Sequence, residues 1–358
     1  MNNIYRKTYA EINLKNLYIN YKNIALLVKN KKVIPVVKAN AYGHGAIEVV
    51  RYLIHKNIDY YAVSLLEEAL ELRNKFKNIN ILIMGVVQKD QFEIASKNNL
   101  TITISNFDQL IDLNNLNFPI TVHLKIDTGM NRLGFKSNDD ILHSFNMLKN
   151  NKYINLQGIY THFATADGDK DIYDQQLLKF SNIITQLDYD FEMVHVSNSS
   201  STIKYESQID FTTHARLGIS LYGLTLDEET KFLRNTFSLV TYISEIKELQ
   251  AGETVGYGAT YKTKRKELIG ILPIGYADGF IRRNQGGEVE IKGKRYSIIG
   301  RICMDQMFIK IDESVTKNDK VIMFGGIVSI DEVAKRLQTI NYEIICQIKD
   351  RVPKIYIK

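Results

Sequence analysis

A lysine at the end of an apolar run is the first candidate for catalysis in this sequence. The stretch VIPVVKANAYGHG sets Lys38 after strand-forming residues and before small residues and two glycines. Lysine is rarely buried, and an amine held in a pocket among other cations has a lowered pKa and attacks aldehydes. Glycines nearby let backbone N–H groups approach a phosphate. A phosphorylated aldehyde cofactor, pyridoxal phosphate, meets both demands.

Polar side chains follow several other apolar runs in the same manner. Taken singly, a structural histidine or a surface arginine is the simpler interpretation of each. If the runs are parallel strands of a barrel, however, these side chains share the end of the barrel where active sites form. The residues at that end are Lys38, Arg132, His162, Asn198, Ser199 and Arg216.

Eight short apolar runs between residues 12 and 216 must position these six side chains. They alternate with amphipathic stretches such as SLLEEALELRNKF, a pattern typical of helices. The alternation predicts a (β/α)8 TIM-like barrel over residues 1–235, whose first few residues pair with the following domain. A doubly wound open sheet is the alternative, but no GxGxxG or GxxxxGK[ST] follows a strand. The predicted strands are 33–38, 60–64, 81–85, 101–105, 120–126, 156–162, 191–197 and a short one near 213–218.

The rhythm of the sequence changes after residue 235. Apolar runs such as ELIGILPI, EVEI, MFIKI and KVIMFG follow one another closely and are separated by turn signals such as GG and KGK. We therefore predict a C-terminal all-β domain over residues 236–358.

Composition narrows the class of protein. The 358 residues are 45% hydrophobic and 24% charged, with a net charge of +6, which is typical of a globular protein and does not favour nucleic-acid binding. No metal-ligand spacing, HExxH or GxSxG is present. Two cysteines, no signal-peptide core and no membrane-length apolar run predict a cytoplasmic protein without a membrane partner.

Seven segments of the sequence together resemble a known family. They are VVKANAYGHG, LKIDTGMNRLGF, THFATAD, RLGISLYG, VGYGATY, PIGYADG and GRICMDQ, in that order, and the similarity extends from about residue 5 to residue 353. These segments resemble the alanine racemases, which are fold-type III pyridoxal-phosphate enzymes. The resemblance implies an N-terminal barrel, a C-terminal β domain and a head-to-tail homodimer with shared active sites.

The resemblance also implies a two-base mechanism that interconverts L-alanine and D-alanine for cell-wall peptidoglycan. Lys38 is implied to bind pyridoxal phosphate covalently and to act as one base, with Tyr257 of the partner subunit as the other. Arg216 is implied to face the pyridine nitrogen, where a permanently protonated guanidinium leaves the ring a weaker electron sink. His162, next to Arg216, is implied to help Tyr257 ionise, since an ordinary tyrosine has a pKa of about 10.

Further roles follow from the same resemblance. Arg132 and Met304 are implied to bind the substrate carboxylate, and Lys125 matches a lysine that is carbamylated in many family members. Asn198 is counted with His162 among the cofactor-binding residues. Phosphate-binding positions correspond to Tyr42, Ser199, Gly218 and Ile219, and entryway positions to Tyr276 and Asp305.

One position departs from the family pattern. Where the family commonly reads SYRVP, this chain reads KDRVP, with Asp350 in place of a phosphate-binding tyrosine. A carboxylate next to a phosphate is repulsive, so we expect Asp350 to turn away, to be compensated by a cation such as Lys349, or to weaken cofactor binding. Loss of the aromatic ring also leads us to expect a wider tolerance for serine.

Alternative functions remain open from the sequence. A broad-specificity amino-acid racemase of the same fold rests on Asp350 alone. A basic amino-acid decarboxylase pairs a similar barrel with a β domain, but VGYGATY argues against it. Non-catalytic carriers of pyridoxal phosphate resemble the barrel only, whereas this chain has a second domain containing Tyr257 and Met304.

Overall fold

Two compact units make up the chain. The computed structural model describes residues 5–225, 230 and 232–358. One unit, the barrel unit, comprises Tyr18–Ala41 and Ala46–Leu233, and the other, the sheet unit, comprises the residues up to Leu17 together with Tyr42–Gly45 and Arg234–Lys358. No described helix is both long and apolar enough to cross a membrane.

Within the described part of the barrel unit, eight parallel strands form the sheet. Each pairs with its neighbour, and a parallel bridge between Val36 and Ala62 joins the first and last strands of the series. Most of their residues are buried, as near-continuous runs of Val, Ile and Leu require in a sheet covered on both faces. The predicted barrel is confirmed. In sheet order its strands are Lys32–Pro35, His214–Leu217, Met193–His195, Ile154–Tyr160, Ile120–Lys125, Thr101–Ile104, Asn80–Val86 and Tyr60–Val63.

Helices follow the barrel strands, and polar caps begin several of them. The side chains of Asn106, Ser137 and Asp169 each accept a hydrogen bond from a backbone N–H in the first turn of a helix. The helix Leu14–Leu27 contains the boundary between the two units. The other helices of the barrel unit are Ala46–Ile54, Leu66–Lys75, Phe92–Lys97, Phe107–Asn114, Asn138–Asn150, Lys170–Leu187 and Ser199–Lys204, with 3-10 turns at Lys89–Gln91, Glu206–Gln208 and Ile219–Tyr222.

Nine strands from the described residues form the main sheet of the sheet unit. The early strand Tyr9–Asn13 lies between Phe237–Tyr242, to which it is antiparallel, and Lys354–Ile357, to which it is parallel. Two short helices that the sequence did not predict, Ile330–Leu337 and Asn341–Cys346, also belong to this unit. In sheet order the strands are Glu245–Leu249, Glu267–Leu272, Met307–Ile311, Lys294–Ile299, Glu288–Ile291, Lys320–Phe324, Phe237–Tyr242, Tyr9–Asn13 and Lys354–Ile357.

Small elements complete the sheet unit. Thr254–Val255 and Tyr261–Lys262 form a separate two-stranded ribbon. Three 3-10 turns lie at Tyr257–Ala259, Tyr276–Asp278 and Arg282–Asn284.

The chain turns sharply after the first barrel strand. This strand ends at Pro35, before the predicted end at Lys38, and Ala39, Asn40, Ala41 and Tyr42 then all have positive φ, between 51° and 55°. Such left-handed backbone costs roughly 1–2 kcal/mol per residue, so the surrounding structure must hold it.

Candidate active site

Arg216 is the most completely enclosed cation at the carboxyl end of the barrel. It lies in the strand His214–Leu217, and only 2% of its surface is exposed. Its guanidinium donates to the carbonyl oxygens of Thr161, His195 and Val196 at 2.9–3.0 Å. It also donates to two imidazole nitrogens, His195 Nδ1 at 2.7 Å and His162 Nδ1 at 3.2 Å. Every one of these partners is a neutral acceptor.

Burial lowers the pKa of Arg216 to about 10. The group is therefore still a cation at neutral pH. Burial, reinforced by the charge of Arg216, also keeps the pKa values of His162 and His195 well below the usual range. Both imidazoles are consequently neutral and able to accept hydrogen bonds from the guanidinium.

Lys125 is a second buried basic residue in the same region. It ends the strand Ile120–Lys125, and its Nζ donates to the carbonyl oxygen of Ile126 at 3.3 Å and lies 4.7 Å from the ring centre of Tyr160. Burial, together with the charges of Arg216 and Arg132, lowers its pKa well below the usual range. The ring of Tyr160 also lies 5.2 Å from the guanidinium of Arg216 and so faces two cations.

Arg132 is exposed on the loop that follows the strand of Lys125. Asp127 shapes this loop, because its Oδ1 accepts the backbone N–H groups of Gly129 and Asn131, each at 3.0 Å. Gly134 has a φ of +118° and packs against the backbone of Asp127, where a Cβ has no room. The loop thus brings Arg132 near enough to lower the pKa of Lys125.

Ser199 and its neighbours form a hydroxyl-rich corner of the same end of the barrel. Asn198 caps the helix Ser199–Lys204 by accepting the N–H of Ser201 at 3.1 Å. Ser199 Oγ accepts the backbone N–H groups of Gly218 and Ser220, at 3.0 and 3.2 Å. This brings the predicted residues Ser199, Gly218 and Ile219 together at the ends of two adjacent strands.

Lys38 is half-buried at the start of the left-handed turn. Glu68 holds this turn: one of its oxygens accepts the N–H of Ala39 at 2.6 Å, and the other accepts those of Ser64 and Leu65. Asn40 Oδ1 accepts the N–H of Ala46 at 2.8 Å. The positive charge of Lys38 contributes to the lowered pKa of His162, so the amine belongs to the same cluster.

The remaining predicted residues lie in the sheet unit. Tyr257 is 71% exposed on a turn whose flanking glycines, Gly256 and Gly258, have φ values of +71° and +72°. Tyr42 is buried, with its ring 6.0 Å from that of Tyr342.

Tyr276, Met304 and Asp305 lie together within the sheet unit. The N–H of Tyr276 donates to Cys303 and that of Ala277 to Met304, both at 3.1 Å. Met304 is 53% exposed. Next to it, Arg351 links the exposed Asp305 at 2.7 Å to the buried carboxylate of Asp278, which also binds Arg6.

Asp350 faces solvent. Its side chain is 98% exposed, and its nearest cation is Lys354 at 3.8 Å. The expectation that this carboxylate turns away from a bound phosphate stays a prediction.

Three residues of the barrel site were not predicted, namely His123, Tyr160 and His195. All three lie inside buried strands, where sequence reasoning assigned only apolar packing. A signal for His123 was present, because His123 and Lys125 are two residues apart and therefore face the same side of a strand.

Comparisons with known proteins agree along the whole chain. Models of the alanine racemase N-terminal and C-terminal domains match residues 12–226 and 236–356. The alanine racemases of Halalkalibacterium halodurans and Listeria innocua are 39% and 40% identical, with 100% and 99% of this chain and 97% and 98% of theirs covered. The solved alanine racemase of Clostridium difficile is 37% identical, with a TM-score of 0.92 over 99% of this chain and 97% of that one.

Proposed function

The chain belongs to the alanine racemase family, a family of isomerases, and we propose that it interconverts L-alanine and D-alanine. The observation that carries this proposal is the enclosed guanidinium of Arg216, which is surrounded only by neutral acceptors. A cation that cannot give up its proton restrains electron withdrawal by a bound ring. That restraint suits racemisation, in which the proton must return to the carbon it left.

Pyridoxal phosphate is the cofactor we propose for this site. The described residues fit it, because Lys38, Arg132 and Arg216 supply positive charge for an anionic group. Two buried hydroxyls in the same corner, Ser197 Oγ and Ser220 Oγ, have no partner among the described residues. When bound, this cofactor withdraws electrons from the Cα of an amino acid and makes its proton removable.

Individual residues then take separate roles. Lys38 holds the cofactor through its amine, and Arg216 donates to the pyridine nitrogen. Asn198 positions the hydroxyl-rich corner, and His162 orients Arg216. The phosphate is bound by Tyr42, Ser199, Gly218 and Ile219.

Racemisation requires two bases, one on each face of Cα. We propose Lys38 as one and Tyr257 of the partner subunit as the other, so that the active unit is a homodimer. Support comes from the exposure of Tyr257 and Met304, two large side chains that leave much of their surface uncovered in the single chain.

The substrate carboxylate is bound by Arg132 and by the backbone N–H of Met304. Tyr276 and Asp305 border the entrance. Carbamylation of Lys125 places an anion next to Arg132 where a protonated amine repels it. We further propose that the enzyme is cytoplasmic and supplies D-alanine for peptidoglycan.

A broader substrate range is the second candidate. Asp350 stands where the family commonly has a tyrosine, and its exposed carboxylate brings no ring to that position. On this account serine is racemised at a rate comparable to that of alanine. An Asp350→Tyr variant with unchanged substrate preference argues against it.

Heavy water tests both candidates. The protein is incubated with pyridoxal phosphate and either L-alanine or L-serine, and deuterium at Cα is measured together with the D enantiomer. Deuterated D-alanine with little D-serine supports the narrow racemase, and comparable D-serine supports the broad one. Cofactor binding without exchange or D product contradicts both and indicates a carrier.

A further inference from the structure

A continuous line of hydrogen bonds runs from Arg216 through the barrel interior to its opposite rim. His195 Nδ1 lies 2.7 Å from the guanidinium, and His195 Nε2 lies 2.9 Å from His123 Nδ1. His123 Nε2 is 3.3 Å from Gln157 Oε1, and Gln157 Nε2 is 3.1 Å from Glu192 Oε2. We call these five residues the interior chain.

The two ends of the interior chain differ in character. Arg216 is buried near the carboxyl end of its strand, whereas Glu192 is exposed just before the strand Met193–His195 begins. The interior chain therefore connects the candidate active site to solvent at the amino end of the barrel.

The guanidinium of Arg216 determines the direction of every hydrogen bond in the interior chain. A guanidinium only donates, so His195 Nδ1 must accept, and the proton of His195 must be on Nε2. That proton is donated to His123 Nδ1, so the proton of His123 is also on Nε2. It is donated to Gln157 Oε1, which turns the amide nitrogen of Gln157 toward the Glu192 carboxylate.

Both histidines must be neutral for this order to hold. Burial lowers the pKa of His123 to about 3 and that of His195 well below the usual range. The charged or titratable groups that act on them are Arg216, Lys125 and His214, together with each other, and all of these oppose protonation.

The fold makes room for the interior chain. A Cβ on Gly158 is within 2.8 Å of the ring of His123 and of the carbonyl oxygen of Met193, so glycine is needed there. The ring of Tyr160 stacks on His195 with 4.6 Å between centres and 13° between planes. These contacts hold both imidazoles in fixed orientations.

We propose that the interior chain locks His195 and His123 in the Nε2–H tautomer and thereby positions the guanidinium of Arg216. His123 and His195 are positioning residues, and they do not touch substrate or cofactor. The effect on catalysis rests on the proposed function, because it acts through the guanidinium that faces the cofactor. The tautomers themselves do not depend on it.

Nitrogen NMR reads the tautomers directly. The full chain, supplied with pyridoxal phosphate, is labelled with 15N-histidine, and signals are assigned with the variants His123→Gln and His195→Gln. We expect unprotonated Nδ1 and protonated Nε2 in both histidines, without titration between pH 5.5 and pH 8, a window that spans the usual histidine pKa. A protonated Nδ1 in either residue, or titration in this window, overturns the proposal.

Variants separate positioning from packing. His123→Leu removes the acceptor of His195 Nε2–H, whereas His123→Gln keeps an acceptor and a donor at that place. We expect the leucine variant to lose about tenfold or more in kcat with little change in KM, and the glutamine variant to recover most of it. His143→Leu, at an exposed helical histidine, is the matched control and leaves kcat unchanged.

Equal losses in the leucine and glutamine variants, or no loss in either, overturn the positioning role. Thermal unfolding of each variant shows that it is folded before rates are compared. If the wild-type chain has ordered tautomers but forms no D-alanine, the interior chain stands and the proposed function fails.

Discussion

The surroundings of Lys125 disfavour a positive charge on its amine. Its amine is buried, has one carbonyl oxygen as a hydrogen-bond partner at 3.3 Å, and is repelled by Arg216 and Arg132. Reaction of the neutral amine with carbon dioxide forms an N–C bond, releases one proton from the nitrogen and replaces a neutral group with an anion.

Carbamylation of Lys125 is therefore a testable consequence. In 13C-bicarbonate we expect a carbamate carbon signal that disappears in Lys125→Gln and persists in Lys97→Gln, a variant of an exposed helical lysine. A spectrum without this signal in the wild-type chain shows that Lys125 keeps an unmodified amine.

The hydrogen bonds of Arg216 depend on the planar shape of its guanidinium as well as on its charge. Lysine at this position keeps the charge but cannot reach acceptors on both sides. We expect Arg216→Lys to lower the free energy of unfolding by about 2 kcal/mol, because buried acceptors lose their donors. Arg132→Lys, at an exposed position, is the control in urea unfolding, and equal losses in the two variants contradict this explanation.

The left-handed turn after the first barrel strand places Lys38, and Glu68 holds it from the neighbouring helix. Glu68→Ala leaves three backbone N–H groups without their acceptor. We expect a loss of about 1–3 kcal/mol in stability and weaker binding of pyridoxal phosphate.

Glu67→Ala is the matched control for the Glu68 prediction, since Glu67 is the exposed neighbour in the same helix. Urea unfolding and cofactor titration measure the two effects. Unchanged cofactor affinity in Glu68→Ala shows that the turn keeps its shape without this carboxylate.

Sequence reasoning reached the barrel because its strands are uninterrupted apolar runs separated by helical patterns. Strand ends were less predictable: the apolar run VIPVVK predicts one strand to Lys38, but the strand ends at Pro35. Four consecutive left-handed residues, two of them alanine, have no local sequence signal, because alanine favours the right-handed form. Tertiary contacts, such as the backbone hydrogen bonds that Glu68 accepts, determine the conformation of this turn.

The candidate site was predictable where polar residues lie at or just after the end of an apolar run, as for Arg216 and Ser199. Polar residues within strands were missed, and His195 and His123 are the examples. Their neighbours are apolar, so composition suggests packing alone. The hydrogen bond between them joins two strands that are separated by a third, so only the folded barrel reveals that both rings belong to one hydrogen-bond chain.

The stability of the whole molecule in acid depends on the lowered pKa values of the buried histidines. His123, with a pKa of about 3 in the folded chain, regains an ordinary pKa near 6.5 on unfolding. The unfolded state then binds more protons, so stability is lost as pH falls below about 6.5.

Replacing His123 makes the loss of stability in acid smaller. Between pH 6 and pH 5 we expect the unfolding free energy of His123→Gln to fall less steeply than that of the wild type, by about 1.4 kcal/mol per pH unit. Urea unfolding at several pH values gives both slopes, and parallel slopes contradict a neutral buried His123.

Sharing of active sites between subunits is a property of the dimer that we propose. Lys38→Ala and Tyr257→Phe are each expected to be inactive alone. Refolded together, half of the dimers combine the two chains, and each has one intact site, so about a quarter of wild-type activity returns. No recovery in verified mixed dimers shows that both residues act within one subunit.

The most direct test of the two-base account is isotope exchange by Tyr257→Phe. This variant keeps Lys38 and lacks the second base. In heavy water we expect it to incorporate deuterium at Cα of one enantiomer of alanine while forming almost none of the other. Exchange into both enantiomers, or racemisation at the wild-type rate, contradicts the assignment of Tyr257 and with it the proposed mechanism.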